Sequence, residues 1–544
     1  MNGLTAFLNQ MPMLLIGVPL CGLFSLGMSR WWGGGHYIRR TLLLNGVLSV
    51  CCAFLLIANF SHGSQRTRYS ASESFQSINL LVLQQSELPG YRFGVDGCSL
   101  LLILCTSAIP LLMGLEKFLL SDQQKLSTRP MTPDFSLCRA VGLLVFQFLM
   151  LSFLLTIDRR VQIVILPFIT LSVHYLLATF LSAEKRRSLN RRMRQLIMSD
   201  FLIVAGILST LTPLMRYTAL GSASAELFDI ARILDAIELA GDEDLTGYDR
   251  LMRSVSPALS VMIVGCVLRF GTFPFTRDGR EMWNGTAPAI RLIFWFYGPI
   301  LGTAVLLREC QLFPIVCYRM FPILSYVWIA GLLWLAFSSR SRRNYNNDTQ
   351  SFLFISTMLI LALGGPNTTS IAGAMLLLLA IGLKSSIPQQ LRIDRFSAAW
   401  LCHWAFHVML ASGMILAVVG TWQSTGPGSR ELGAVLLVGL SIILLRRNVK
   451  NSSSSGETTS TPDRVLDRFS RQAPVVRGEI PVWEFVENPP SSPRRSGIQT
   501  ALILFAAVVF LLIPQLIWTH VRWDLQKIQF PDSSGGFALG ENPK

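Results

Sequence analysis

The sequence predicts an all-α polytopic membrane protein with about fourteen transmembrane helices, and three observations carry that prediction. First, the 544 residues are 51% hydrophobic and only 15% charged, against roughly one-quarter charged in soluble globular chains. Second, apolar runs of about 18 residues or more, the length that crosses a hydrocarbon core, recur along almost the whole chain. Third, the net charge of +15 is concentrated in short clusters between those runs. The composition excludes a soluble enzyme, and the clustering assigns the positive charge to membrane topology rather than to nucleic acid.

In order, the runs place spans at roughly 11–29, 41–60, 98–120, 137–156, 161–182, 196–218, 255–275, 287–307, 317–338, 351–366, 369–386, 397–421, 430–446 and 498–519. The first lacks a basic flank and a small-residue cleavage site, so no cleavable signal peptide is expected. Basic clusters fall at Arg39–Arg40, at Lys185 to Arg187 with Arg191, Arg192 and Arg194, at Arg340 to Arg343, and at Arg446–Arg447. With the N-terminus outside, all four lie on the cytoplasmic side, so both termini are predicted outside a cell (inner) membrane.

Residues 1–448 form the predicted transmembrane bundle. Within it, Leu227, Ile230, Ala231, Leu234 and Ile237 repeat at helical spacing, with acidic residues on other faces, so 220–245 reads as an amphipathic surface helix. Residues 449–497 are rich in Ser, Thr, Pro and charge and read as a disordered cytoplasmic linker. The apolar island VWEFV at 482–486 is either a docking point or part of an unstructured tether. Residues 498–544 hold the last span and an outer tail.

The ten cysteines are scattered and form no C-x-x-C pair, and no phosphate loop, G-x-G-x-x-G or G-x-S-x-G sits in a strand–turn–helix context. No metal or cofactor is expected, and redox chemistry is assigned to partners.

Two motifs resemble the proton-translocating membrane subunits of respiratory NADH–quinone oxidoreductase and the related cation/proton antiporters. The run Gly94-Val95-Asp96-Gly97-Cys98-Ser99 resembles the G-[IV]-D-G-[IL]-S opening of that family's third span. Asp96 and Ser99 can cap free N–H groups there, and the glycines permit a tight entry. Arg269, Phe273-Pro274-Phe275, Asp278, Trp283 and Ala287-Pro288, then Leu312-Phe313-Pro314, resemble the seventh span and the loop that follows it. Span count and termini look more like chain M than chain L, and the likeness covers roughly 11–446.

That resemblance implies antiporter-like inverted repeats with broken helices and no redox centre in the chain itself. It also implies partner subunits that deliver quinone chemistry, and a row of protonatable groups at mid-membrane depth. The family glutamate of the fifth span falls on or near Pro167, counting from Asp158, and the seventh-span lysine is replaced by Arg269. The eighth-span lysine position falls near Pro299, and His407 takes the twelfth-span place six residues before Gly413.

Each singled-out residue has a plainer alternative. Arg269 is either an electrostatic fixture of a water path, or an arginine bound to a carbonyl or snorkelling to the interface. His403 and His407 share a helix face and are proton-path candidates, a haem or metal ligand pair, or ordinary interhelical hydrogen-bond partners. His174 is a candidate relay for the lost carboxylate. Asp200 and Lys384 are proton-path candidates or, more simply, interface anchors, and Arg194 is an interface anchor; Arg159 and Arg160 are expected at the outer headgroups, and Asp96 as a structural cap.

Overall fold

The computed structural model describes residues 11–32, 35–58, 78–79, 92–93, 97–124, 137–156, 158–180, 183–217, 241–271, 288–313, 355–356, 359, 363, 368–386 and 398–424. Ten helices are described: α1 (Met11–Trp32), α2 (Gly35–Ala58), α3 (Gly97–Gln124), α4 (Leu137–Leu155), α5 (Arg159–Phe180), α6 (Ala183–Tyr217), α7 (Gly241–Phe270), α8 (Pro288–Leu312), α9 (Thr368–Ser386) and α10 (Ala398–Ser424). They correspond to the first eight predicted spans and to the eleventh and twelfth. Between α2 and α3 the chain adds a short antiparallel pair, Ile78–Asn79 with Arg92–Phe93, which hydropathy reading did not anticipate.

By length and composition, six described segments are long and apolar enough to cross a membrane: Met11–Met28, Tyr37–Ala58, Leu137–Leu155, Arg159–Thr179, Arg192–Pro213 and Arg253–Phe270. Shorter apolar helices run over Ser99–Leu111, Thr369–Lys384 and Trp404–Gly420. The chain is thus a multi-pass helical membrane protein. The predicted spans at 317–338, 430–446 and 498–519, most of 351–366, and the linker lie outside the described residues, as do 218–240. GDEDL (241–245), expected in the amphipathic segment, instead opens α7.

Packing follows chain order, with α1 on α2, α2 on α3, α4 on α5, α6 on α7 and α9 on α10, while α8 reaches α3, α5, α7 and α9. Outward faces carry Phe24, Val164, Phe168, Phe201 and Ile415, as expected for surfaces against lipid. Inside, Leu, Ile and Phe side chains from every helix form one continuous core. Polar ties cross it: Asn45 Nδ2 donates to the Val18 carbonyl at 2.8 Å, and Gln147 Nε2 donates to Ser49 Oγ at 3.1 Å.

Prolines sit inside α1, α3, α5, α6, α7 and α8. Each removes one backbone donor, a loss that membrane helices tolerate where neighbours satisfy the freed carbonyl.

Candidate functional site

The centre of the described bundle holds a buried charge pair. Arg269, one residue before the end of α7, is fully buried, and its Nη1 donates to Oδ1 of Asp200 on α6, itself buried. Nη2 donates to Thr170 Oγ1 on α5 at 3.2 Å. That hydroxyl shares a 3.2 Å hydrogen bond with Tyr297 OH on α8. The guanidinium carbon lies 5.3 Å from the Tyr297 ring centroid. Phe146 of α4 closes the cage edge-on against the same ring, with centroids 6.1 Å apart. Five consecutive helices therefore each supply one side chain to a single cluster.

Two local features let α7 stop beside this charge. Gly271, at φ +69°, turns the chain out of the helix with its N–H on the Leu268 carbonyl at 3.2 Å, a left-handed cap that glycine adopts at least cost. Arg192, buried on α6, covers the open end: its Nη2 donates to the Arg269 carbonyl at 3.1 Å and its Nη1 to the Leu268 carbonyl at 3.4 Å. A guanidinium there satisfies carbonyls that lack helical partners and complements the helix dipole. On the other side α8 comes in close at Gly298, where an added Cβ would lie 2.7 Å from the Arg269 carbonyl oxygen.

Chemically, the pair has one fixed and one titratable member. The guanidinium stays protonated at any accessible pH, whereas the Asp200 carboxylate can take up a proton. Doing so leaves Arg269 an unpaired buried cation, which is costly, so a proton at Asp200 and a displacement of Arg269 are linked. The Nε of Arg269 is buried without a hydrogen-bond partner, so its donor capacity is only partly used.

Several sequence expectations change here. Arg269 neither snorkels nor rests on a carbonyl; it is ion-paired. Asp200 is an interior partner rather than an interface anchor, because it lies eight residues inside the span that opens at Arg192. Pro167 is on the exposed face of α5, and Thr170, three residues on, is what meets Arg269. Arg159 is buried, with its Nη2 donating to Oε1 of Glu309 on α8, so it is not a headgroup anchor.

The remaining candidates stand apart from the pair. His174 Nε2 lies 3.4 Å from Asn190 Oδ1. The Lys384 ammonium sits 5.5 Å over the Phe406 ring, and the exposed His407 ring packs edge-on against Phe406 at 5.1 Å. Arg194 is exposed, and Arg160 is exposed with its backbone N–H donating to Asp158 Oδ1 at 2.8 Å. Gly97 opens α3 with Ser99 buried in its first turn, and Pro288 opens α8. Asp96 and Pro274 lie outside the described residues, as does the side chain of His403. No group of three or more His, Cys, Asp or Glu converges among the described residues.

No protein-family model matches the chain, and no curated protein matches it in sequence. Solved structures do. A chain of respiratory complex I from Thermus thermophilus with bound NADH superposes with a TM-score of 0.59 at 14% identity, over 95% of this chain and 100% of that one. The chain has the complex I membrane-chain fold. An archaeal respiratory membrane complex, the membrane-bound sulfane sulfur reductase, gives 0.62 at 13% identity over 95% and 98%. The Mrp complex from Dietzia sp. DQ12-45-1b gives 0.60 at 14% over 96% and 99%. The resemblance read from the two sequence motifs therefore holds at the level of the fold, in a highly divergent sequence.

Proposed function

We propose that this chain is a membrane-embedded, proton-channel-like subunit of an NADH–quinone oxidoreductase-type complex, coupling quinone reduction in partner subunits to proton translocation. The observation that carries the reading is the Asp200–Arg269 pair, buried where five helices meet, inside a fold shared end to end with a respiratory complex I chain. Ionisable groups at such depth are expensive and characteristically functional. Asp200 is the proton-accepting member and Arg269 its fixed countercharge; Thr170 and Tyr297 form a hydroxyl chain leading from the pair. The reading includes about fourteen spans in antiporter-like repeats, a cytoplasmic linker at 449–497 and both termini outside an inner membrane. Quinone is met through partners, with no cofactor in the chain itself.

Two other readings have an observation behind them. Because Arg269 cannot release a proton as a lysine can, the pair also suits a non-pumping scaffold that keeps the fold. The likeness to the Mrp complex suits a membrane subunit of an antiporter or inorganic-carbon uptake system. Affinity purification of the tagged full chain from its native membrane separates these readings by composition. Redox subunits are expected to co-purify; their absence, with other membrane or carbonic-anhydrase-like partners in their place, overturns the complex assignment.

A further inference from the structure

A second buried carboxylate lies outside the Asp200 cluster and has no counterpart among the motif positions. Glu309, near the end of α8, is 2% exposed. Its Oε1 accepts from Arg159 Nη2, while its Oε2 is buried without a hydrogen-bond partner. Beside it, the Arg308 guanidinium hydrogen-bonds main-chain carbonyls: Nη2 donates to the Leu154 carbonyl, and Nη1 lies 3.3 Å from the Phe153 carbonyl and 3.4 Å from that of Thr156. Arg308 thereby closes the end of α4 much as Arg192 closes α7, and Arg159 is the arginine that hydrogen-bonds Glu309.

A buried carboxylate oxygen with no donor is costly; a proton on it removes the charge but weakens the pairing with buried Arg159, so proton and ion pair are linked here as they are at Asp200. The charged groups that act on Glu309 are Arg159 on α5 and Arg308 beside it on α8; Asp158 and Arg160 flank Arg159 at the start of α5. The geometry points to Glu309 as a second proton-holding carboxylate of the bundle, resting on the transport reading above for its purpose but not for its existence.

Its placement gives it a direction. Arg159 precedes Thr170 by 11 residues on α5, and Tyr297 precedes Glu309 by 12 on α8, so Glu309 stands roughly 16–18 Å along the bundle from the Asp200 cluster. Between them on α8, the buried Thr303 hydroxyl has no hydrogen-bond partner. The basic clusters place the α4–α5 turn on the outer side, so Glu309 is the outer station and Asp200 the interior one.

The test is an infrared pH titration of the full chain in its native complex, held in lipid nanodiscs without turnover. A titrating carboxylic-acid carbonyl band is expected in the wild type that is lost in Glu309→Gln and retained in Asp200→Asn. Glu309→Asp, which keeps a carboxyl one methylene shorter, is expected to shift that band, and it serves if Glu309→Gln does not assemble. Superimposable wild-type and Glu309→Gln spectra, or an unmoved band in Glu309→Asp, overturn the assignment. If the band behaves as expected while proton translocation is unaffected in both Glu309→Gln and Asp200→Asn, the site stands and the transport reading fails.

Discussion

Arg192 Nη2 donates at 3.1 Å to the backbone carbonyl of Arg269, 77 residues further along the chain. One arginine thus holds the main chain of the residue whose own guanidinium is the buried cation. The end of α7 and the charge beside it are built as a unit, with Gly271 as the turn.

Replacing Arg192 by Gln shortens the reach to both carbonyls and removes the charge opposite the helix end. The expected loss is about 2 kcal/mol, the scale of charge-assisted hydrogen bonds. Reversible unfolding of the full chain in mixed micelles measures it; an unchanged midpoint contradicts the cap.

Gly271→Ala places a Cβ 2.5 Å from Arg192 Nη2 at a backbone φ of +69°. The left-handed conformation alone costs about 1–2 kcal/mol for an L side chain, so the same unfolding assay should show a loss of at least that size. A neutral Gly271→Ala would mean that the chain leaves α7 by another route.

The Asp200–Arg269 pair predicts strong non-additivity. Asp200→Leu or Arg269→Met alone strands a buried charge and should cost about 3–5 kcal/mol. The double variant should cost less than either single one, because no charge is then left unpaired. Additive losses in a double-mutant cycle would show that the two side chains do not interact.

Thr170 and Pro167 separate two placements of the fifth-span site. Pro167 faces outward, so its exchange for Ala removes no contact with the cation and returns a backbone donor to the helix; it should leave stability unchanged or raise it. Thr170→Val removes an acceptor from Arg269 and a partner from Tyr297, so it should be the damaging one. The reverse ranking, read in the same unfolding assay, would restore Pro167 as the position facing the cation.

Much of this was legible in the sequence, and the misses share a cause. Long apolar runs announced the helices, and Arg269 stood out because nothing polar surrounds it within VMIVGCVLRF. Sequence alone leaves Asp200 as a proton-path candidate or an interface anchor, because the basic run from Lys185 to Arg194 ends six residues before it. The available signal was that the apolar stretch can be entered at Arg192, which puts Asp200 eight residues deep. Glu309 and Arg159 were disguised in the same way, each next to another charge at a span end: Arg308–Glu309 and Arg159–Arg160. Hydropathy cannot tell a charge that leaves the bundle from one that turns inward to a partner on a distant helix. The Pro167 position failed for a different reason: Pro167 and Thr170 lie within about 60° of each other on α5; the edge of the core falls between them, with Pro167 exposed and Thr170 on Arg269, and a count of residues from Asp158 does not show where that edge falls.

The central claim is that Asp200 carries the proton in a translocating subunit. Its most direct test is the proton-to-electron ratio of the reconstituted complex carrying Asp200→Asn, with electron transfer from NADH to quinone recorded in the same vesicles. A lower ratio in assembled complex that still transfers electrons is the predicted result; an unchanged ratio would contradict the claim and leave the chain a scaffold.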